Sequence, residues 1–220
     1  MGDNMNIQIN GLDYYYEEYG NSDKTLILLH GNGEDCSIFH ELIEKLQDKY
    51  HIYAIDSRNH GRTTKTNNVT YIDIAFDIAI FIRKLDLKNI TIYGFSDGAI
   101  VALFLASKLY FEIDAIYLSG INLFPSGIKF KDFRAMKKDY KYTKDPNTLM
   151  MINSPYFTKN DFKDLKAKVT LIYGEDDCMR KHHIKLAHKW LVGSKLIIIP
   201  GENHGSYIVH SDKLLDYVDL

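Results

Sequence analysis

Short, nearly unbroken apolar runs recur along the chain, and each stops at Gly, Asn, Asp or Ser. They span residues 25–29, 51–55, 89–93, 113–118, 169–173 and 195–199. Such runs, rich in Ile, Leu and Tyr and without polar alternation, predict strands covered on both faces. Between them, residues 37–50, 71–85, 99–108, 181–190 and 206–217 carry apolar positions at helical spacing and predict helices with one buried face. Residues 6–9 and 13–19 alternate instead around Asn10-Gly11, a strong hairpin signal, and predict leading antiparallel strands. The pattern is α/β: a mostly parallel sheet covered by helices on both faces.

Residues 121–165 break this rhythm, because the interval is far longer than a crossover loop. It holds Phe124, Phe130, Phe133, Met136, Tyr140, Met150, Met151, Tyr156 and Phe157, enough apolar surface to fold as short helices. The expectation is a small helical cap over a pocket, inserted in one domain covering 1–220. The same interval carries nine Lys and Arg against five Asp and Glu, which points to a solvated basic face or to an acidic substrate.

Composition narrows the classes. Lys and Arg number 27 against 29 Asp and Glu, a net charge of −2, so the basic excess that nucleic acid calls for is missing. The greasiest stretch, Ile74 to Ile82, is interrupted by Asp77, which predicts no membrane span. The opening MGDNMNIQIN has neither a basic nor an apolar leader region, and a cytoplasmic location is the expectation. Two cysteines, Cys36 and Cys178, cannot build a disulfide framework and show no metal-binding spacing.

The sharpest chemical signal is Gly94-Phe95-Ser96-Asp97-Gly98, between a predicted strand and a predicted helix. This G-x-S-x-G arrangement suits a tight turn that exposes a serine nucleophile, with small residues two positions either side so strand and helix can approach. A serine hydroxyl needs a base and an orienting carboxylate. In this motif class they follow in the order Ser, acid, His, each after a strand. His204, in Pro200-Gly201-Glu202-Asn203-His204-Gly205, follows the last strand and is the expected base. Tyr173-Gly174-Glu175-Asp176-Asp177 closes the strand before it and offers Asp176 and Asp177. His30-Gly31-Asn32-Gly33 follows an earlier strand. The backbone N–H groups of Asn32 and Asp97 are the expected oxyanion donors. His182, His183 and His188 fall on a predicted surface helix without an i, i+4 pair, so no metal site is expected there.

Taken in order, HGNG, GFSDGA, GEDD and PGENHG resemble the α/β-hydrolase-fold family over nearly the whole chain. A further family element, usually D-x-R-G-H-G-x-S, stands here as Asp56-Ser57-Arg58-Asn59-His60-Gly61-Arg62-Thr63, departing at Asn59 and Thr63. Asn tolerates the left-handed backbone that the turn needs. The resemblance implies a catalytic Ser96, Asp177 and His204, with Asp177 preferred over Asp176 because the family pattern after this strand is G-x-x-D from Gly174. It disfavours epoxide opening and halide displacement, which use Asp at the nucleophile position. Its strand order sets Cys36 and Cys178 about three inter-strand steps of about 4.8 Å apart, too far for a disulfide. The expected activity is cleavage of a carboxylic ester or related acyl bond of a small molecule through an acyl-enzyme, with no cofactor. A non-hydrolytic lyase using the same three residues, like the menaquinone-pathway enzyme of this fold, and a binding protein without turnover are the alternatives.

Overall fold

The computed structural model describes residues 2–109 and 111–220. Asn10 and Gly11 both take positive φ, as a two-residue hairpin turn requires. β1 (Asp3–Ile9) and β2 (Leu12–Tyr19) pair antiparallel across them. The apolar runs become β3 (Thr25–Leu29), β4 (His51–Ile55), β5 (Ile90–Phe95), β6 (Ala115–Ser119), β7 (Lys168–Gly174) and β8 (Lys195–Ile199). One eight-stranded sheet results, in the order β1-β2-β4-β3-β5-β6-β7-β8. β2 meets β4 antiparallel, and every neighbouring pair from β4 to β8 is parallel.

The helices are α1 (His40–Leu46), α2 (Tyr71–Lys84), α3 (Asp97–Ser107), α4 (Phe130–Thr143), α5 (Pro146–Asn153) and α6 (Lys181–Trp190). The pleat of the sheet sorts its residues between two cores. Ile27 and Leu29 of β3 pack with residues of α2, α3 and α6, whereas Leu26 and Leu28 pack with α1 and the C-terminal segment. Both faces are therefore covered, which is why these strands lack polar alternation. α3 is buried on nearly every side, so its sequence carries no amphipathic stripe. Among the described residues no helix is long and apolar enough to cross a membrane.

Two expectations change. Residues 206–217 do not form a helix: after one turn in which Ile208 and Val209 donate to Gly205 O, His210 takes φ 50° and its N–H turns to Ile38 O. Only a short 3-10 turn, Lys213–Asp216, follows. The apolar spacing of Tyr207, Ile208, Leu214 and Val218 reflects their common burial in the second core, which these two short turns achieve without a continuous helix. His183 is not on a surface face either. It is 1% exposed, its Nε2 accepts the Leu123 N–H at 2.9 Å, and burial pushes its pKa down to about 4.

The segment between β6 and β7 does fold as short helices, α4 and α5 flanked by 3-10 turns. Phe124, Phe133, Phe157 and Phe162 attach it to the body instead of lining a cavity. Phe157 stacks on Phe104 with ring centroids 4.5 Å apart, and Phe124 meets His183 edge-on at 4.6 Å. Of the aromatic and Met residues named above, Met150 and Tyr156 line a cleft of about 530 Å³, together with Tyr71, Phe104, Leu149 and Pro155. Lys131, Arg134, Lys137, Lys138, Lys141 and Lys144 are all exposed. The basic excess of this segment therefore faces solvent.

Candidate active site

β5 delivers the chain into a turn at Ser96, which sits at φ 52° and ψ −111°, a conformation that L-residues adopt only under constraint. The constraint is the contact between strand and helix. A Cβ on Gly98 would lie 2.1 Å from Leu29 O, and one on Gly94 would lie 2.4 Å from Gly98 O, so glycine is required at both positions. Ser96 N–H donates to Ser119 O at 2.8 Å and Gly98 N–H to His30 O at 3.1 Å. These bonds hold the turn between β3 and β6 and leave the Ser96 hydroxyl at the carboxyl edge of the sheet.

His204 and Asp177 reach the same point from the ends of β8 and β7. His204 Nδ1–H donates to Asp177 Oδ1 at 2.9 Å, which leaves Nε2 as the acceptor facing Ser96 Oγ at 3.1 Å. Asp177 is buried and also accepts the Met179 N–H at 2.9 Å. Asp176, its neighbour, is exposed, so the turn itself chooses between the two acids. Burial alone would lower the His204 pKa; the hydrogen bond and charge of Asp177, with Cys178 beside it, outweigh burial and push it above the ordinary histidine range. Phe95 lies against the His204 ring with centroids 5.1 Å apart. Gly120, which sequence reasoning missed, takes φ 64°, and a Cβ there would sit 2.5 Å from His204 Cε1. Its place directly after β6 was the only signal that could have found it.

The HGNG loop is pinned by a neutral histidine. His30 Nδ1–H donates to Gly31 O at 2.7 Å and Nε2 accepts the Ser57 N–H at 3.0 Å. Complete burial, helped by His60, pushes its pKa down to about 3. Gly31 is brought against Ser96: a Cβ there would lie 3.0 Å from Ser96 Cβ. Among the described residues neither the Asn32 nor the Asp97 backbone N–H has a protein acceptor. The Asn32 side chain is held within 3.2 Å of His60 Nε2.

The 56–63 element braces this loop. Asp56 accepts the Cys36 and Arg62 N–H groups, each at 2.8 Å, and the Thr63 hydroxyl donates to Asp56 O at 2.7 Å. Asn59 takes the left-handed conformation, φ 69°, and its side chain donates to Asn147 Oδ1 of α5 at 3.1 Å. The two departures from the family pattern are thus accommodated, and one of them ties the 121–165 segment to the body. Arg58 pairs with the fully buried Asp77 at 2.6 Å.

Two carboxyls near Ser96 went unremarked as side chains in the sequence. Asp97 Oδ1 accepts the Tyr71 hydroxyl at 2.7 Å, whereas Oδ2 is buried without a partner. Burial pushes the Asp97 pKa up to about 6. Glu34 Oε2 accepts the Gly31 N–H at 3.0 Å, and burial, with Asp97 nearby, pushes its pKa up to about 7. Cys36 and Cys178 are both free thiols. Asp177-Cys178-His204 and Asp35-Cys36-Asp56 each bring ligand-type atoms within 4.8 Å of one another. In the first group Asp177 Oδ1 is engaged by His204 and Met179 while its Oδ2 is buried without a partner, and in the second the carboxylates accept backbone N–H groups.

Comparison with known proteins matches residues 24–150 to the family described as alpha/beta hydrolase fold. Human serine hydrolase BPHL is 23% identical, the match covering 94% of this chain and 82% of that protein. Among solved structures, an esterase from Exiguobacterium antarcticum superposes with a TM-score of 0.81 at 19% identity, covering 98% of this chain and 97% of the other. Carboxylesterase CesB of Bacillus subtilis superposes with a TM-score of 0.77 at 16% identity, covering 99% and 91%. With the family match spanning more than half of its length, the sheet order it shares with that fold, and Ser96 at the strand-to-helix turn, this chain belongs to the α/β-hydrolase-fold family.

Proposed function

We propose that the chain is a serine hydrolase that cleaves a carboxylic ester or related acyl bond of a small molecule through an acyl-enzyme. The observation that carries this reading is the continuous hydrogen-bonded run from Asp177 through His204 to Ser96, at 2.9 and 3.1 Å. Ser96 Oγ attacks the acyl carbon while His204 Nε2 takes its proton. Asp177 keeps the ring in the tautomer that accepts at Nε2 and steadies the imidazolium. The free N–H groups of Asn32 and Asp97 donate to the oxyanion, which is usually the largest single contribution to such a reaction. His204 then returns the proton to the leaving alcohol, and water repeats the sequence to release the acid.

The relatives named above, a serine hydrolase and two esterases, support this reaction class. The cleft of about 530 Å³ lined by Tyr71, whose hydroxyl donates to Asp97 beside Ser96, is the proposed acyl site, of a size that suits short or medium acyl groups. A soluble butyrate ester should therefore turn over faster than emulsified long-chain triglyceride, and the reverse would remove the size argument.

Turnover of 4-nitrophenyl acetate combined with labelling by a fluorophosphonate tests the reaction. Turnover, an adduct on the peptide containing Ser96, and loss of both in Ser96→Ala are the expected results. An adduct on Ser57 or Ser119 would overturn the assignment of the nucleophile. Labelling at Ser96 without ester turnover would transfer the same residues to lyase chemistry.

A further inference from the structure

The carboxylate of Asp177 is only half satisfied. Oδ1 accepts the His204 Nδ1–H and the Met179 N–H, each at 2.9 Å. Among the described residues, Oδ2 is buried with no partner. A buried carboxylate oxygen without a donor is costly, and a protein keeps one where something else, such as a cation, completes it.

The next residue brings a thiol to the same place. Cys178 is free and half-buried, and its side chain is within hydrogen-bonding reach of the His204 ring. One ligand-type atom each from Asp177, Cys178 and His204 lie within 4.8 Å of one another. Around a tetrahedral zinc ion with bonds of about 2.0–2.3 Å, neighbouring ligand atoms stand about 3.3–3.8 Å apart, so the three need to converge by about 1 Å. Cys178 and His204 are both partly exposed, which gives an ion a way in from solvent. The other group of this kind, Asp35-Cys36-Asp56, differs on both counts: Cys36 is fully buried, and its two carboxylates accept backbone N–H groups. Spacing along the chain gives no sign of the first group, because the sheet order alone brings Cys178 to His204.

We infer that Asp177, Cys178 and His204 form a binding site for a thiophilic divalent cation of the Zn²⁺ type, which silences the Ser96 relay when it is filled. The silencing rests on the serine-hydrolase reading above, whereas the binding does not. Thiolate, imidazole and carboxylate together are a zinc donor set, while Mg²⁺ and Ca²⁺ take oxygen ligands. The thiol gives up its proton to solvent as the ion binds, and three protein ligands leave a fourth position for water. His204 is lost as a base whichever nitrogen binds. An ion on Nε2 occupies the lone pair that faces Ser96 Oγ at 3.1 Å. An ion on Nδ1 leaves the neutral ring with its proton on Nε2, so that this nitrogen can no longer accept one from Ser96.

The test follows hydrolysis of 4-nitrophenyl butyrate by the chain without a polyhistidine tag, near neutral pH and with a phosphine reductant, as Zn²⁺ is raised and then removed with EDTA. Zn²⁺ should inhibit the wild type reversibly, and Mg²⁺ at the same concentrations should not. Read against each variant's own metal-free rate, the half-inhibiting Zn²⁺ concentration should rise at least about tenfold in Cys178→Ser and in Cys178→Ala, as weakening of a ligand shell requires. Absence of inhibition, equal sensitivity of wild type and variants, or equal inhibition by Mg²⁺ would overturn the site and leave the hydrolase reading intact. If the wild type hydrolyses no ester, the hydrolase reading is what fails, and calorimetry of Zn²⁺ on Ser96→Ala decides the site. Binding at least about tenfold tighter than to the double variant Ser96→Ala/Cys178→Ser supports it, and equal binding refutes it.

Discussion

Replacing Asp177 with Asn removes one charge from the proposed relay while keeping its shape. In the wild type, His204 Nδ1 stands 2.9 Å from Asp177 Oδ1, and the imidazolium formed as Ser96 attacks is stabilised by that carboxylate. At this separation and an effective dielectric of about 20, the attraction between full charges is about 6 kcal/mol. At about 1.4 kcal/mol per decade, its loss sets a ceiling of about 10⁴ on the fall in kcat. The Asp177 side chain is 1% exposed, but that of His204 is 27% exposed, so water screens part of the interaction. A fall in kcat between about 10² and 10⁴ is the expected outcome. Asn can still accept the Met179 N–H, so the melting temperature should change little and the loss should appear in kcat. Asp176→Asn alters an exposed side chain and should stay within about threefold. Steady-state hydrolysis of 4-nitrophenyl butyrate by both variants, with thermal melts as control, makes the comparison. Equal losses in the two variants, or a loss in Asp177→Asn of less than about tenfold, would refute the role assigned to Asp177.

Three further outcomes are expected. Because Asp177 holds the His204 pKa above the ordinary range and the base must be neutral, kcat/KM should rise with pH through a midpoint above about 6.5; a profile flat from about pH 5 to 8 with chemistry limiting would contradict this. Gly98→Ala drives a Cβ towards Leu29 O and should cost about 1–3 kcal/mol, lowering the melting temperature by several degrees, and an unchanged melt would show that the turn relaxes. Among the described residues, Arg58→Met leaves the fully buried Asp77 with only Tyr14 and Asn10 as side-chain hydrogen-bond partners, which should lower the unfolding free energy by about 3–5 kcal/mol. Urea titration measures it, and a loss below about 1 kcal/mol would show that the two neutral partners suffice.

The family and the sheet were legible in the sequence because both depend on short-range order. Apolar runs closed by Gly, Asn or Asp set where the strands lie, and the hairpin at Asn10-Gly11 follows from the positive φ those two residues accept. Ser96 could be read because a glycine two places either side of a serine, between strand and helix, has a steric cause. His204 could be read from its place after the final strand. Segment 206–217 was misread because apolar spacing reports burial, and two short turns bury Tyr207, Ile208, Leu214 and Val218 as well as a helix would.

What only the tertiary structure decided are the encounters between residues far apart in the chain. Ser96 and His204 are 108 positions apart and His204 and Asp177 are 27 apart; the sheet order β3-β5-β6-β7-β8 brings them to one edge. The choice of Asp177 over Asp176 rests on which carboxylate the turn after β7 buries, a fact of backbone direction that adjacent identical residues cannot express. The same holds for the burial of His183 against Leu123 and Phe124, for Gly120 making room for His204, and for the unpartnered oxygen of Asp97. Sequence fixes the period and chemistry of each segment, while burial and partnership belong to the three-dimensional neighbours that the fold supplies.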